Sequence, residues 1–341
     1  MARRRPTLAF AGAGMISVVH AMSASLAGLD VVAVASRSPE RARERADQVG
    51  ARACRYADLP AGADAVVVAT PPSCHADDAI AAMEAGAAVL MEKPLTTTLA
   101  DADRVVEAAE RTGRPLVYAE NLVFAPVVQQ AVALARTLGP LRHVSVRALQ
   151  PRPDWGGFLE PSWGGGVLFD LGVHPVAVAL LLAGDDPAVA VSARLERGEG
   201  IEVDDHAVVE LHTESSLRIS VEASWRHPTT VWDLQAAGDV GVVRAELQPG
   251  LLLEHNGDPV PTAATTEGAD PRLEGLGYVT QLGVLADALQ GGPPVFGARF
   301  GRQVLDVVTA AHQSAHDDGA PTALPFAGPR DRTPWELWTG S

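Results

Sequence analysis

The chain has 341 residues, 47% of them hydrophobic and 20% charged, with 27 Lys+Arg against 42 Asp+Glu and a formal net charge of −15. That apolar content supports a sizeable core and excludes a disordered chain, and the length points to two domains, since single cores stop growing near roughly 250–300 residues. The acidic balance argues against a broad nucleic-acid surface, no apolar run approaches the roughly 18 residues of a membrane span, and Cys54 and Cys74 are too few for a disulfide framework and fit a reducing compartment.

Thr7–Ala11 reads as a short buried strand that ends at a glycine, and Met15–Ala27 has helical spacing. Arg3, Arg4 and Arg5 ahead of the apolar stretch Leu8–Val19 have the outline of a secretory leader. Gly12 and Gly14 interrupt that stretch, and the α/β pattern needs it, so a cytoplasmic protein is expected. Val31–Ala35 is a second strand, Pro39–Val49 a charged helix, Ala65–Ala69 a third strand and His75–Ala85 a helix. Ala88–Met91, the helix Leu99–Thr112 and the strand Pro115–Tyr118 complete a series of apolar runs alternating with helices, the mark of a parallel sheet covered on both faces. Residues 1–122 are therefore expected to form a doubly wound dinucleotide-binding α/β domain.

After the helix Phe124–Thr137 the rhythm changes. His143–Gln150, Ala207–Leu211, Leu217–Trp225, Val231–Ala237 and Val242–Leu247 are strand candidates without crossover helices, so antiparallel pairing is expected. Val173–Leu182, Tyr278–Leu289 and Arg302–His316 are the helices of this part, and Trp335 and Trp338 suggest that the tail docks. Residues 123–341 read as an α+β domain, an antiparallel sheet with helices on one face.

Four segments carry chemistry. Gly12-Ala13-Gly14-Met15-Ile16-Ser17 joins strand to helix: one glycine makes the turn and the next lets a pyrophosphate approach the helix N-terminus, while Ser17 replaces the third glycine of the usual pattern. At the end of the second strand, where an NAD site places an acid, stand Ser36-Arg37-Ser38 and then Arg41. A hydroxyl beside guanidinium groups suits a 2′-phosphate, so NADP is favoured and NAD stays open. Thr70-Pro71-Pro72 with His75, and Glu92-Lys93-Pro94, close the third and fourth apolar strands, at the sheet edge where ligands bind. Finally, Gly164–His174 leads into an apolar helix. If that helix includes both Asp170 and His174, the two share a face and can hydrogen-bond, which suits a general acid/base.

Lys93 is also the only lysine: of the 27 cations 26 are arginine, where average usage predicts roughly twenty lysines. Codon bias explains the count but not the position.

These segments resemble the Gfo/Idh/MocA family, named for glucose–fructose oxidoreductase, inositol dehydrogenase and a rhizopine-catabolism protein. The resemblance covers nearly the whole chain and rests chiefly on the Glu92–Pro94 triplet and the Gly164–His174 segment. It implies a Rossmann domain followed by an open-faced antiparallel sheet, and reversible, metal-free hydride transfer between NAD(P) and a sugar or cyclitol carbon. It implies that Lys93 lies between nicotinamide ribose and substrate and that Asp170 and His174 handle the proton. Gly12, Gly14, Met15, Ile16, Ser36, Arg37, Arg41, Thr70, Pro71, His75, Glu92 and Lys93 are the expected cofactor contacts. Lys93, Asn121, Trp155, Trp163, Asp170 and His174 are the expected substrate contacts, the two tryptophans as flat faces for a sugar ring or as packing. A homodimer or homotetramer through the C-terminal sheet is expected in the same way.

The chain departs from the family in having Leu122 and Val123 after Asn121, where basic residues are frequent, and Ala177 where Asp is frequent, which makes the expected substrate wall more apolar. His312 and His316 are read as a solvated helix face rather than a metal site, and Asp204-Asp205-His206 as a polar strand entrance. Two other functions stay open: an NAD-dependent glycosidase working by transient oxidation, and a non-catalytic NAD(P)-binding sensor, against which the joint presence of Lys93, Asp170 and His174 argues.

Overall fold

The computed structural model describes residues 4–154, 156–262 and 270–341. Along the chain, β1 (Thr7–Ala11), α1 (Met15–Leu26), β2 (Asp30–Ala35), α2 (Pro39–Val49), β3 (Arg52–Cys54) and β4 (Ala65–Val68) come first. They are followed by α3 (His75–Glu84), β5 (Ala88–Glu92), α4 (Leu99–Thr112) and β6 (Leu116–Ala119). The six strands form one parallel sheet in the order β3-β2-β1-β4-β5-β6. β4 and β5 are buried at every residue, as expected of strands with helices on both sides. The strand order reverses between β1 and β4, which opens a crevice at their carboxyl ends.

Next come α5 (Pro126–Ala135), β7 (Leu141–Pro151), α6 (Val167–Asp170), α7 (Val173–Ala183), β8 (Ala188–Glu196), β9 (His206–Thr213), β10 (Arg218–Ser224), β11 (Arg226–Gly238), β12 (Gly241–Gln248), β13 (Leu252–His255) and β14 (Asp258–Pro259). The last described elements are α8 (Pro271–Gly275), α9 (Tyr278–Ala288), α10 (Ala298–His316), β15 (Thr322–Ala323) and α11 (Pro334–Thr339). Among the described residues the second sheet has nine strands in the order β14-β13-β12-β11-β7-β10-β9-β8-β15. It is antiparallel except for one pair: β7 and β10 run parallel, with Val144 beside Ile219 and Val146 beside Val221. The all-antiparallel expectation fails there because α6, α7, β8 and β9 intervene between the two strands, long enough a connection for a crossover.

Burial alternates along β9 and along most of β7 and β10. Val144, Val146, Ala207, Val209, Leu211, Ile219, Val221 and Leu234 are buried on one face, where α7 packs on β7 and β10. Arg147, Glu210, His212, Arg218 and Arg244 are exposed on the other face, and Arg147 pairs there with Asp233 at 2.5 Å. That open face is polar, so it does not need covering in order to hide apolar surface.

Internal contacts divide the chain into two compact units, and the division is not one cut after residue 122. The first unit comprises Met1–Thr96, Ala100–Asn121 and Thr265–Arg302; the second comprises Thr97–Leu99, Leu122–Ala264 and Gln303–Ser341. The chain leaves the first unit near Asn121 and later returns to it. Leu282 and Leu285 of α9 are wholly buried, and α9 packs on α1, β5 and β6. This return could not be read from periodicity, which shows that α9 has an apolar face but not what the face meets.

Candidate active site

In the first unit the glycine turn is sterically constrained. Gly12 has φ = +116°, and a Cβ there would collide with the Ala69 carbonyl just beyond β4, so a residue without a side chain is required. Gly14 begins α1, whose first turn has no acidic residue and no side-chain cap, leaving the positive helix end available to an anion. Ser17, in place of the third glycine, is buried and donates its hydroxyl to the Gly14 carbonyl at 2.6 Å, closing the turn from inside.

At the end of β2, Ser36 Oγ accepts the Ser38 amide at 3.3 Å, and Ser38 Oγ caps α2 by accepting the Arg41 amide at 3.2 Å. Arg37 and Arg41 are exposed. Arg45, one turn beyond Arg41, reaches back to the Gly14 carbonyl at 3.4 Å. Sequence reading missed this third guanidinium, although its i,i+4 spacing from Arg41 was a usable signal. A glycine that permits close approach, an open helix N-terminus and nearby guanidinium groups fit a dinucleotide.

The turns after β4 and β5 are tied together by His75. Its ring is buried, with Nε2 2.8 Å from the Thr70 carbonyl and Nδ1 2.9 Å from the Pro94 carbonyl. Burial pulls His75 below its ordinary 6.5, although the two carbonyls and Glu92 favour the charged ring. Thr70 donates its hydroxyl to Asp78 at 2.8 Å. Glu92 places Oε1 2.6 Å from His20 Nε2 and accepts the Lys93 amide at Oε2, 3.1 Å away. Of the residues expected to touch the cofactor, His75 and Glu92 thus commit their polar atoms to the protein itself. Lys93 follows directly on the carboxyl end of β5 and is half-buried. Asn121 is buried too, its Nδ2 donating to the Leu276 carbonyl at 2.8 Å.

In the second unit, Asp170 is the last residue of α6 and His174 the second of α7. The helical segments Pro161–Asp170 and Val173–Ala183 meet at a 48° bend, so the condition that one continuous helix includes both residues is not met. Gly172, at the junction, has no room for a Cβ beside Leu168. Both side chains are buried, and the His174 ring lies 5.9 Å from that of Trp232, tilted by 33°. Trp232 pairs with Ala148, on the same face as buried Leu234 and Ala236. Its parity with Leu234 and Ala236 marks that face in the sequence.

Asp204 organises the glycine-rich entrance. Its carboxylate, wholly buried, accepts the amides of Gly166 at 3.1 Å and Leu168 at 2.8 Å, while its carbonyl accepts the Val167 amide at 2.8 Å. A Cβ on Gly166 would collide with that carbonyl. His312 donates Nδ1–H to the Val308 carbonyl at 2.8 Å and sets Nε2 3.7 Å from Asp204 Oδ1, whereas His316 bonds the Trp338 carbonyl at 3.0 Å. Neither histidine turns toward the other, and Asp205 is taken up by Arg226 at 2.6 Å. The tail docks as expected: Trp335 donates its amide to the Gly164 carbonyl at 3.1 Å and its indole N–H to the Glu202 carbonyl at 3.0 Å.

Trp163 packs edge-on against Phe158 at 4.9 Å and covers Gly157, so it is engaged within its own loop, while Trp155 lies outside the described residues. Leu122, Val123 and Ala177 are 4%, 0% and 0% exposed, so they pack in the interior rather than present an apolar wall. Cys54 and Cys74 are half-buried free thiols.

Comparisons with known proteins agree with this architecture. Residues 7–120 match the oxidoreductase family with an NAD-binding Rossmann fold, and residues 128–244 match the GFO/IDH/MocA C-terminal domain. D-xylose 1-dehydrogenase (NADP(+)) 2 of Haloferax volcanii is 31% identical over 78% of this chain and 81% of its own length. The chain belongs to the Gfo/Idh/MocA oxidoreductase family. A 1,5-anhydro-D-fructose reductase of Ensifer adhaerens is 34% identical, with the match spanning 51% of this chain and 55% of that one. Among solved structures, GenD2 from gentamicin A biosynthesis, in complex with NAD, superposes with a TM-score of 0.83 at 27% identity, covering 95% of this chain and 97% of the other. The chain is thus an NAD(P)-dependent oxidoreductase of a family whose named members are sugar and cyclitol dehydrogenases and reductases.

Proposed function

We propose that the chain is an NADP-preferring dehydrogenase or reductase acting on a hydroxyl or carbonyl carbon of a sugar, cyclitol or related polyol. The observation that carries this reading is the position of its only lysine, at the carboxyl end of β5, one strand from the strand-order reversal, with the Glu92 carboxylate next to it in sequence. When bound, the nicotinamide supplies the hydride acceptor or donor. Lys93 holds an ammonium at the substrate oxygen and stabilises the negative charge that develops there. His174 takes the hydroxyl proton in oxidation and returns it in reduction, with Asp170 as the carboxylate that supports its charged form. Trp232 offers a ring face beside His174 suited to the apolar face of a sugar ring.

Two things support NADP over NAD: arginines in place of an acid after β2, and the kinship with an NADP-linked xylose dehydrogenase. The open polar face of the nine-stranded sheet is the proposed self-association surface of a homodimer or homotetramer; a monomer by light scattering removes that part of the reading.

The test is a screen that follows nicotinamide absorbance with both cofactors against D-xylose, myo-inositol and 1,5-anhydro-D-fructose. The expected result is turnover with NADP(H) favoured by about tenfold or more in kcat/KM, since an Arg–phosphate fork is lost with NAD. Lys93→Arg and His174→Ala should each lower turnover about a hundredfold while still binding cofactor. Absence of hydride transfer to or from any such compound, or full activity of either variant, refutes the assignment.

A further inference from the structure

A buried pair stands behind Lys93 and has no part in the chemistry above. His20, on α1, is wholly buried, and its Nε2 lies 2.6 Å from Glu92 Oε1. The second carboxylate oxygen accepts the Lys93 amide at 3.1 Å. On the far side of the ring, the Gln281 amide nitrogen of α9 lies 3.4 Å from Nδ1. Nδ1 therefore accepts, and the ring proton sits on Nε2, facing Glu92. Tyr278, also on α9, sets its ring edge-on to the imidazole at 6.2 Å.

Such a pair is costly to bury, because desolvation outweighs much of the attraction, and an apolar pair of similar volume would pack as well or better. β5 is otherwise apolar from Ala88 to Met91, so polarity at its last residue is a local exception. The charged and titratable groups that act on Glu92, or on which it acts, are His20, Lys93, His75, Tyr118 and Tyr278, with Glu120 acting on the same two tyrosines. Burial alone would push Glu92 up. The hydrogen bond from His20, with Lys93 and His75, brings it below its ordinary 4.5. Glu92 is an anion in this interior largely because His20 is there.

We propose that His20 is a positioning residue for the reaction: by clamping Glu92 Oε1 it turns Oε2 onto the Lys93 amide and keeps a negative charge beside the Lys93 ammonium. Gln281 selects the tautomer that makes the clamp. The inference rests on the reading of Lys93 as the cation at the reacting oxygen, but its test does not.

Because the chain has one lysine, protein labelled with 13C-lysine gives a single side-chain resonance that can be titrated in the full chain without substrate or cofactor. His20→Leu should lower the Lys93 titration midpoint by about one pH unit, because the carboxylate released from the clamp turns away from the ammonium. Glu92→Gln should do the same, whereas His20→Gln, whose amide can still donate to Glu92, should restore the wild-type midpoint. Turnover of the best substrate from the screen should fall at least tenfold in His20→Leu and recover in His20→Gln, with the NADPH Kd held within about threefold. An unchanged midpoint in His20→Leu overturns the proposal, as does a His20→Gln variant no better than His20→Leu. Should His20→Leu fail to fold by circular dichroism, an unchanged midpoint in the near-isosteric Glu92→Gln overturns it equally. Loss of the parent reading shows separately, as full turnover in Lys93→Met.

Discussion

Asp204 offers the sharpest stability test in the second unit. Its carboxylate, fully removed from water, accepts two main-chain amides, Gly166 at 3.1 Å and Leu168 at 2.8 Å, at the start of the short helix that ends in Asp170. Hydrogen bonds to a charged group are each worth about 1.5–3 kcal/mol, and removing the acceptor leaves both donors buried, so Asp204→Ala should cost about 3–6 kcal/mol. Asp204→Asn should cost less, about 1–2 kcal/mol. Its oxygen can stay on Leu168 while the amide nitrogen, in the place of Oδ1, donates to His312 Nε2, which has no hydrogen-bond partner among the described residues. The assay is urea unfolding followed by tryptophan fluorescence, which reports the second unit because the tryptophans of the described residues all lie there. Amide exchange at Gly166 and Leu168 gives the local readout. If Asp204→Ala unfolds at the wild-type midpoint with both amides still protected, the account of this cap is wrong. An asparagine variant as damaged as the alanine one would remove the part assigned to His312.

Three other outcomes are expected. Gly12→Ala places a side chain at φ = +116° against the Ala69 carbonyl; strain of about 1–3 kcal/mol should weaken NADPH binding by roughly tenfold or more, and an unchanged Kd in a fluorescence titration would contradict the steric argument. Arg37→Asp should shift the kcat/KM ratio of NADP to NAD downward by about tenfold, and a ratio that stays put would take Arg37 out of the 2′-phosphate site. His75 and Glu92 both titrate below their ordinary values, so the unfolded chain binds more protons than the folded one and stability rises with pH. His75 contributes stability that is present above about pH 6.5 and is lost as pH falls below it; Glu92 does the same from about pH 4.5 downward. The melting temperature should therefore decline as pH drops from 7 to 4, and His75→Gln should flatten the upper part of that decline; a flat wild-type profile would refute both assignments.

What could be read from the amino acids was whatever leaves a local trace. Burial on both faces makes β4 and β5 uninterrupted apolar runs, and one-sided burial makes β9 and β10 alternate, so both sheets were legible as strings. The glycine turn was legible because only glycine fits at Gly12, and Lys93 stood out because arginine serves everywhere else. Tertiary structure decided the rest, through groups far apart in the chain. The parallel pairing of β7 with β10 depends on where a connection of several elements comes back to the sheet, and the return of α9 to the first unit depends on what its apolar face meets. His20 lies 72 residues from Glu92, and Asp204 38 residues from Gly166. Each of these is a single polar residue whose role is set by partners distant in the chain, and contacts of that kind impose no period or spacing on the residues around it.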